Sequence, residues 1–328
     1  MYIESEKFSL WADFIERDYL EGEFKELIEK KIINGATSNP AIFKNAILTS
    51  HAYKDQLSSL SHLTPKKQYE AVAIFDIQKA ADILLPLYNS RDDGYVSIEV
   101  DPFLCDDAEA TIEEGVRLYN SINRKNVMIK IPATDAGYIA MEALVSQSIA
   151  VNATLIFSKE QALSCAKAFK NGAKKAEKNV DTVISVFVSR IDRAIDAQLK
   201  TLNIDTALAG IYNASAIYEA IEALNIQGCR TLFASTGVKG DAQVPSYYVD
   251  ELLASHSVNT APIDTINAFV ENGKNSIKLP IPKNKVDSLF DAISTAGIDI
   301  DEVIEKQISD GLSQFKDAFS EILEALEK

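Results

Sequence analysis

The sequence predicts an α/β fold, a closed (β/α)8 TIM barrel with additional helices, including a long one at the C-terminus, as a single domain over residues 1–328. Three observations predict it. Eight apolar runs of strand length, at 8–13, 33–39, 95–101, 126–133, 150–157, 182–189, 230–235 and 258–261, alternate with longer segments of helical periodicity. Helix-start signals directly follow several of these runs, the pattern of right-handed βαβ units and a parallel sheet. Polar side chains recur within the runs and at their ends, where barrels build active sites. A doubly wound open sheet is the competing architecture, and eight is the number that a closed barrel needs.

Taken in order, the first run ends in Asp13 and the second in Thr37-Ser38-Asn39 before Pro40, which opens a helix over 40–48 and then a polar connection. Thr64-Pro65 places a cap residue before a proline at the first helical position, starting an apolar-periodic helix to about Leu87. Asp106-Asp107-Ala108-Glu109 has a loose capping-box form after the third run, and Ser158-Lys159-Glu160-Gln161 a full one after the fifth. The last segment, 299–328, carries Ile304, Ile308, Leu312, Phe315, Phe319, Ile322 and Leu326 at helical spacing. It reads as an amphipathic helix that packs across the barrel or against a partner.

Composition narrows the function. The 33 basic and 48 acidic residues give a net charge of -15, which argues against nucleic-acid or anionic-membrane partners while leaving room for an anionic substrate held by a local cation cluster. Cys105, Cys165 and Cys229 are far apart and form no CxxC pair, as in a reducing cytoplasm, and they suggest neither a disulfide framework nor a zinc site. No apolar run is long enough for a membrane span and the N-terminus is too polar for a signal peptide, so a cytoplasmic location is expected. His51, His62 and His256 lie in polar, turn-rich surroundings, poor support for metal ligation or a histidine-based triad.

The central run, Asn126-Val127-Met128-Ile129-Lys130-Ile131-Pro132, carries one charge among apolar neighbours. Alternation puts Met128 and Lys130 on one face, and a sheet covered on both sides would bury that lysine. Removal from water favours the neutral amine, a nucleophile whose natural reaction is imine formation with a carbonyl. The alternative is a lysine at the strand edge that snorkels to solvent or pairs with a carboxylate.

Other strands repeat the anomaly: Ser97, Glu99 and Asp101 share a face, as do Asn152 and Thr154, and Ser185 and Phe187. An open sheet with one wet face would explain any single strand, but not the set beneath covering helices. An imine-forming lysine needs an acid/base partner, for which Glu99 is nearest, and carbon-carbon cleavage needs a base, which Asp13 could supply. Thr37, Asn39, Asn152, Thr154 and Ser185 suit neutral hydrogen bonding of a polyhydroxy substrate. Arg190 and Lys239 suit a phosphate, with a salt bridge from Arg190 to Asp192 or Asp196 as the alternative for the arginine.

These residues carry a resemblance. Gly35-Ala36-Thr37-Ser38-Asn39-Pro40-Ala41-Ile42-Phe43, Val96-Ser97-Ile98-Glu99-Val100, Met128-Ile129-Lys130-Ile131-Pro132-Ala133-Thr134, Val151-Asn152-Ala153-Thr154-Leu155-Ile156-Phe157-Ser158 and Leu232-Phe233-Ala234-Ser235-Thr236 resemble, in order, the blocks of the transaldolase family. The resemblance implies a cofactor-free and metal-free class I aldolase barrel that moves a dihydroxyacetone unit between phosphorylated sugars in the pentose phosphate pathway. It implies Lys130 as the Schiff-base residue, Glu99 with Thr154 holding a proton-relaying water, and Asp13 as the base. It further implies Asn39, Asn152 and Ser185 on the dihydroxyacetone part, and Arg190 and Ser235 on phosphate. Better-known members carry an arginine where this chain has Gly237, and Lys239 is the expected replacement for that charge. The nearest competitor, a fructose 6-phosphate aldolase, is shorter and has tyrosine where this chain has Phe187. A non-catalytic sugar-phosphate sensor is the competitor from another class, and a pyridoxal phosphate enzyme would also use a buried lysine. The oligomeric state is left as monomer or homodimer.

Overall fold

The computed structural model describes residues 1–327. Eight parallel strands close into a barrel in sequence order: β1 Ser9–Ala12, β2 Gly35–Thr37, β3 Tyr95–Glu99, β4 Val127–Pro132, β5 Ala150–Ile156, β6 Thr182–Phe187, β7 Cys229–Ala234 and β8 Ser257–Ala261, with β8 pairing back onto β1. The doubly wound alternative is thereby excluded. Strand residues are buried along almost their whole length, so neither face of the sheet is wet. The polar side chains in it therefore need protein partners or a ligand.

Helices α1 Arg17–Glu21, α2 Glu23–Glu29, α3 Pro40–Thr49, α4 Lys54–Leu60 and α5 Pro65–Asn89 precede or follow the first two strands. The polar connection after α3 thus holds a short helix of its own. Thr64 stands at the N-cap of α5 as expected, but its hydroxyl makes no capping bond, and the helix runs two residues beyond Leu87. The outer ring continues with α6 Ala108–Ile122, α7 Asp135–Ser146, α8 Lys159–Ala173, α9 Ser189–Thr201 and α10 Ala209–Ala223. The α8 start is a complete capping box between Ser158 and Gln161. At α6 the cap is Asp107, whose carboxylate accepts from Ala110 N; the reading based on Asp106 is one residue early. The chain ends in α11 Tyr247–Glu251, α12 Ile263–Asn272, α13 Lys283–Thr295 and α14 Ile300–Leu326.

Two apolar layers hold the molecule together. The outward faces of the strands pack on the helices, as where Gly115 of α6 lets that helix approach Ile129 and Leu144 closely. The barrel interior is filled by Trp11, Met128 and their neighbours together with paired polar groups. At the N-terminal end Trp11 Nε1 donates to Asp93 (2.9 Å) and Arg230 pairs with the same carboxylate (2.7 Å). Asp101, grouped with Glu99 by alternation, leaves the sheet because β3 stops at Glu99; it caps a turn through Phe103 N and pairs with Lys66 (2.6 Å).

The C-terminal helix crosses the other end. Its apolar face is buried at Ile304, Phe315, Phe319 and Ile322 against α3, α5, α9 and β5 of the same chain. Phe319 meets Tyr69 of α5 edge-on at 5.3 Å, and Lys44 of α3 pairs with Glu321 (2.8 Å).

Candidate active site

Parallel register sets Lys130 beside Glu99 on one side and Asn152 on the other. The lysine is 5% exposed, which removes the snorkelling alternative. Its Nζ donates to Ser38 O (3.0 Å) and lies 3.6 Å from Glu99 Oε2. Among the described residues neither oxygen of Glu99 has a hydrogen-bonding partner, and the same holds for the buried hydroxyl of Thr154. Removal from water pushes the Glu99 carboxyl up to about 7, against the pull of the Lys130 charge. Buried orphan oxygens of this kind are ordinarily satisfied by water or a ligand.

Asp13 follows β1 directly, its backbone N–H held by Ala261 O (2.9 Å). Its carboxylate accepts from Thr37 Oγ1 (2.7 Å), which in turn contacts Thr260 Oγ1 (2.7 Å). Removal from water raises the Asp13 carboxyl, while the Lys130 charge and the Thr37 hydrogen bond lower it. Asn39 caps α3 by accepting from Ile42 N (3.0 Å), a bond that uses its carbonyl and leaves its NH2 as a donor.

Asn152, beside Lys130 in the sheet, donates to Ser97 Oγ (3.1 Å) and accepts from Ser185 Oγ (2.6 Å). That chain fixes the rotamers of three polar residues inside the barrel. Beside it, β5 shifts register between Ala153 and Ile156, and Leu155 takes a left-handed φ of 59°. A bulky residue is rarely found there, and bulges re-aim neighbouring side chains. Here the neighbour is Thr154.

On the far wall Arg190 opens α9 and stacks its guanidinium over Phe187 at 5.2 Å. Among the described residues it makes no salt bridge, and its buried Nη1 has no partner. The alternative pairings are taken elsewhere: Asp192 accepts from Gly210 N and Tyr248 Oη, and Asp196 from Ala207 N. Ser235, at a left-handed φ of 55°, contacts Ser189 Oγ (3.1 Å).

One cavity of ≈ 170 Å³ is lined by Asp13, Thr37, Asn39, Lys130, Thr154, Ser185, Phe187, Arg190 and Ser235. Glu99 and Asn152 touch that set from beneath through Lys130 and Ser185. Lys239 is the exception: it is exposed on the loop after β7 and outside the lining. A Cβ at Gly237 would lie 3.1 Å from Pro262 Cγ, so any side chain there requires that ring to give by a few tenths of an ångström.

Five lining residues were missed in the sequence reading: Ala41, Ala234, Thr260, Gln314 and Phe315. Thr260 has the polar-in-strand signal that marked the others. Gln314 and Phe315 sit on α14, where the phenylalanine reads as one more core residue of an amphipathic stripe. Only the path of the helix brings it over the lysine.

A buried amine beside a proton-holding carboxyl, facing an unpaired arginine at the C-terminal mouth of a (β/α)8 barrel, defines the imine-forming class of barrel enzymes. The chain belongs to the transaldolase/fructose-6-phosphate aldolase family, whose model matches residues 10–326. It is similar to the transaldolase of Campylobacter jejuni subsp. doylei, 46% identical over 330 residues covering 97% of this chain and 99% of that protein. The transaldolase of Campylobacter jejuni subsp. jejuni serotype O:23/36 is 47% identical with the same coverage. That of Helicobacter pylori (strain Shi470) is 41% identical over 319 residues, again covering 97% and 99%.

Proposed function

We propose that the chain acts as a transaldolase, a transferase of the non-oxidative pentose phosphate pathway. It moves a dihydroxyacetone unit between sedoheptulose 7-phosphate or fructose 6-phosphate and glyceraldehyde 3-phosphate or erythrose 4-phosphate. The observation that carries the reading is the Lys130 amine, buried and 3.6 Å from Glu99, in the same cavity as Arg190.

Arg190 and Ser235 take the donor's phosphate, and Asn39, Asn152 and Ser185 its dihydroxyacetone end. The Lys130 amine adds to the ketone carbon, and Glu99 supplies through a water held with Thr154 the proton with which the carbinolamine hydroxyl leaves. Asp13 then takes the proton of the hydroxyl next to the bond that breaks, releasing the aldose phosphate and leaving an enamine on Lys130. An incoming aldehyde reverses these steps. We read residues 1–328 as one catalytic domain, a cytoplasmic monomer or homodimer that needs no cofactor. Among the described residues no helix is long and apolar enough to cross a membrane.

The test is intact mass after incubation with fructose 6-phosphate and borohydride, with peptide mapping. The expected result is a phosphate-free three-carbon adduct on Lys130 that erythrose 4-phosphate discharges before reduction. No adduct under conditions where the sugar binds overturns the reading in favour of a sugar-phosphate sensor.

A further inference from the structure

We infer that Phe315, delivered by the C-terminal helix, is a specificity-determining residue that keeps the three-carbon unit on Lys130 for an aldehyde rather than for water. The inference rests on the transferase reading above. The Lys130 ammonium position lies 5.8 Å from the centre of the Phe315 ring, which is 5% exposed and forms part of the cavity wall. The hydrogen bond and ion pair that Nζ makes within the protein go to the Ser38 carbonyl and Glu99. The ring is therefore an apolar cover on an otherwise polar amine.

The cover is held firmly. Gly311, one turn earlier, comes so close to β5 and α9 that an added Cβ would lie 3.0 Å from Leu155 Cδ2 and 3.5 Å from Arg190 Nη1. One turn later Phe319 packs edge-on against Tyr69 and near Phe103. The helix that carries Phe315 thus touches the bulged strand, the arginine and the outer helices together, and no loop intervenes.

The competing reaction is simple. Water protonates the enamine at carbon, a second water adds its oxygen to the resulting iminium carbon, and the C–N bond breaks. Free dihydroxyacetone and the Lys130 amine result, with water as the sole co-reactant. Both branches use water to hydrolyse an imine, so the step that sets this one apart is protonation of the enamine carbon, and an apolar ring that keeps a proton-donating water from that carbon suppresses the branch while transfer continues.

The experiment compares parent, Phe315→Leu and Phe315→Ala at saturating fructose 6-phosphate. It measures free dihydroxyacetone released without acceptor, normalised to borohydride-trapped adduct, against sugar formed with erythrose 4-phosphate. The hydrolysis-to-transfer ratio is expected to rise in the order Phe, Leu, Ala, by about tenfold or more for alanine. A purely structural role would lower adduct and transfer together and leave the ratio unchanged, and that result overturns the inference. Should the alanine variant not fold, Phe315→Leu decides: a threefold rise supports the inference and an unchanged ratio overturns it. A parent that forms no adduct would instead count against the transferase reading.

Discussion

Lys130 Nζ and Glu99 Oε2 lie 3.6 Å apart on adjacent parallel strands, and among the described residues the carboxylate has no hydrogen-bonding partner. An amine and an acid so placed can exchange a proton through one water. Glu99→Gln is expected to lower kcat by about 10²–10⁴-fold, the range for a lost acid/base group, with a smaller change in KM. Single-turnover trapping with borohydride checks it: the adduct on Lys130 should still form, more slowly.

The same burial makes Glu99 a titrating group in the working range. Its carboxyl is pushed up to about 7, so kcat should change through an apparent pKa near neutrality set by Glu99. In Glu99→Gln that inflection should vanish. Persistence of the same inflection in the glutamine variant would assign it to another group.

Arg190 stacks on Phe187 and offers a buried Nη1 with no partner among the described residues. Charged hydrogen bonds contribute about 1.5–3 kcal/mol, so Arg190→Met should raise KM for phosphorylated donors by roughly 10–100-fold. Lys239, exposed and outside the cavity, should matter far less, and Lys239→Met is expected to change KM by under about twofold. Steady-state kinetics on the two variants separates an anion site built at α9 from one built on the β7 loop.

Asp192 gives a stability prediction away from the chemistry. Burial pushes its carboxyl up to about 7, outweighing the hydrogen bonds from Gly210 N and Tyr248 Oη that favour the charged form. The folded state then keeps a proton that the unfolded chain loses near 3.8, so this group's contribution to stability falls as pH rises from about 4 to 7. Asp192→Asn removes that dependence. The Tm difference, variant minus parent, should grow more positive between pH 5 and pH 8 by a few degrees, at about 1.4 kcal/mol per unit. A difference that shrinks would mean that the hydrogen bonds win.

Gly35 tests the packing under the site. A Cβ there would sit 2.5 Å from the indole of Trp11, which is fully buried and is the chain's single tryptophan. Gly35→Ala should cost about 1–3 kcal/mol by overpacking and shift the tryptophan emission. Denaturant melts followed by fluorescence and by circular dichroism read both effects.

Local sequence determined the elements. The eight strand-length runs, the Ser158 capping box, the prolines opening α3 and α5 and the periodic C-terminal helix all follow from short-range sterics, capping and burial patterns, and the structure contains each. Lys130, Glu99, Asn152 and Ser185 were legible because a polar residue in a strand covered on both sides is costly unless used. Tertiary structure decided what alternation could not. Strand length removed Asp101 from the face of Glu99, barrel register set Lys130 against Glu99, and Asp192 and Asp196 found partners that left Arg190 open. It alone carried Phe315 over the amine, because an apolar residue on an amphipathic helix has the same sequence signature whether it covers a core or a reacting nitrogen.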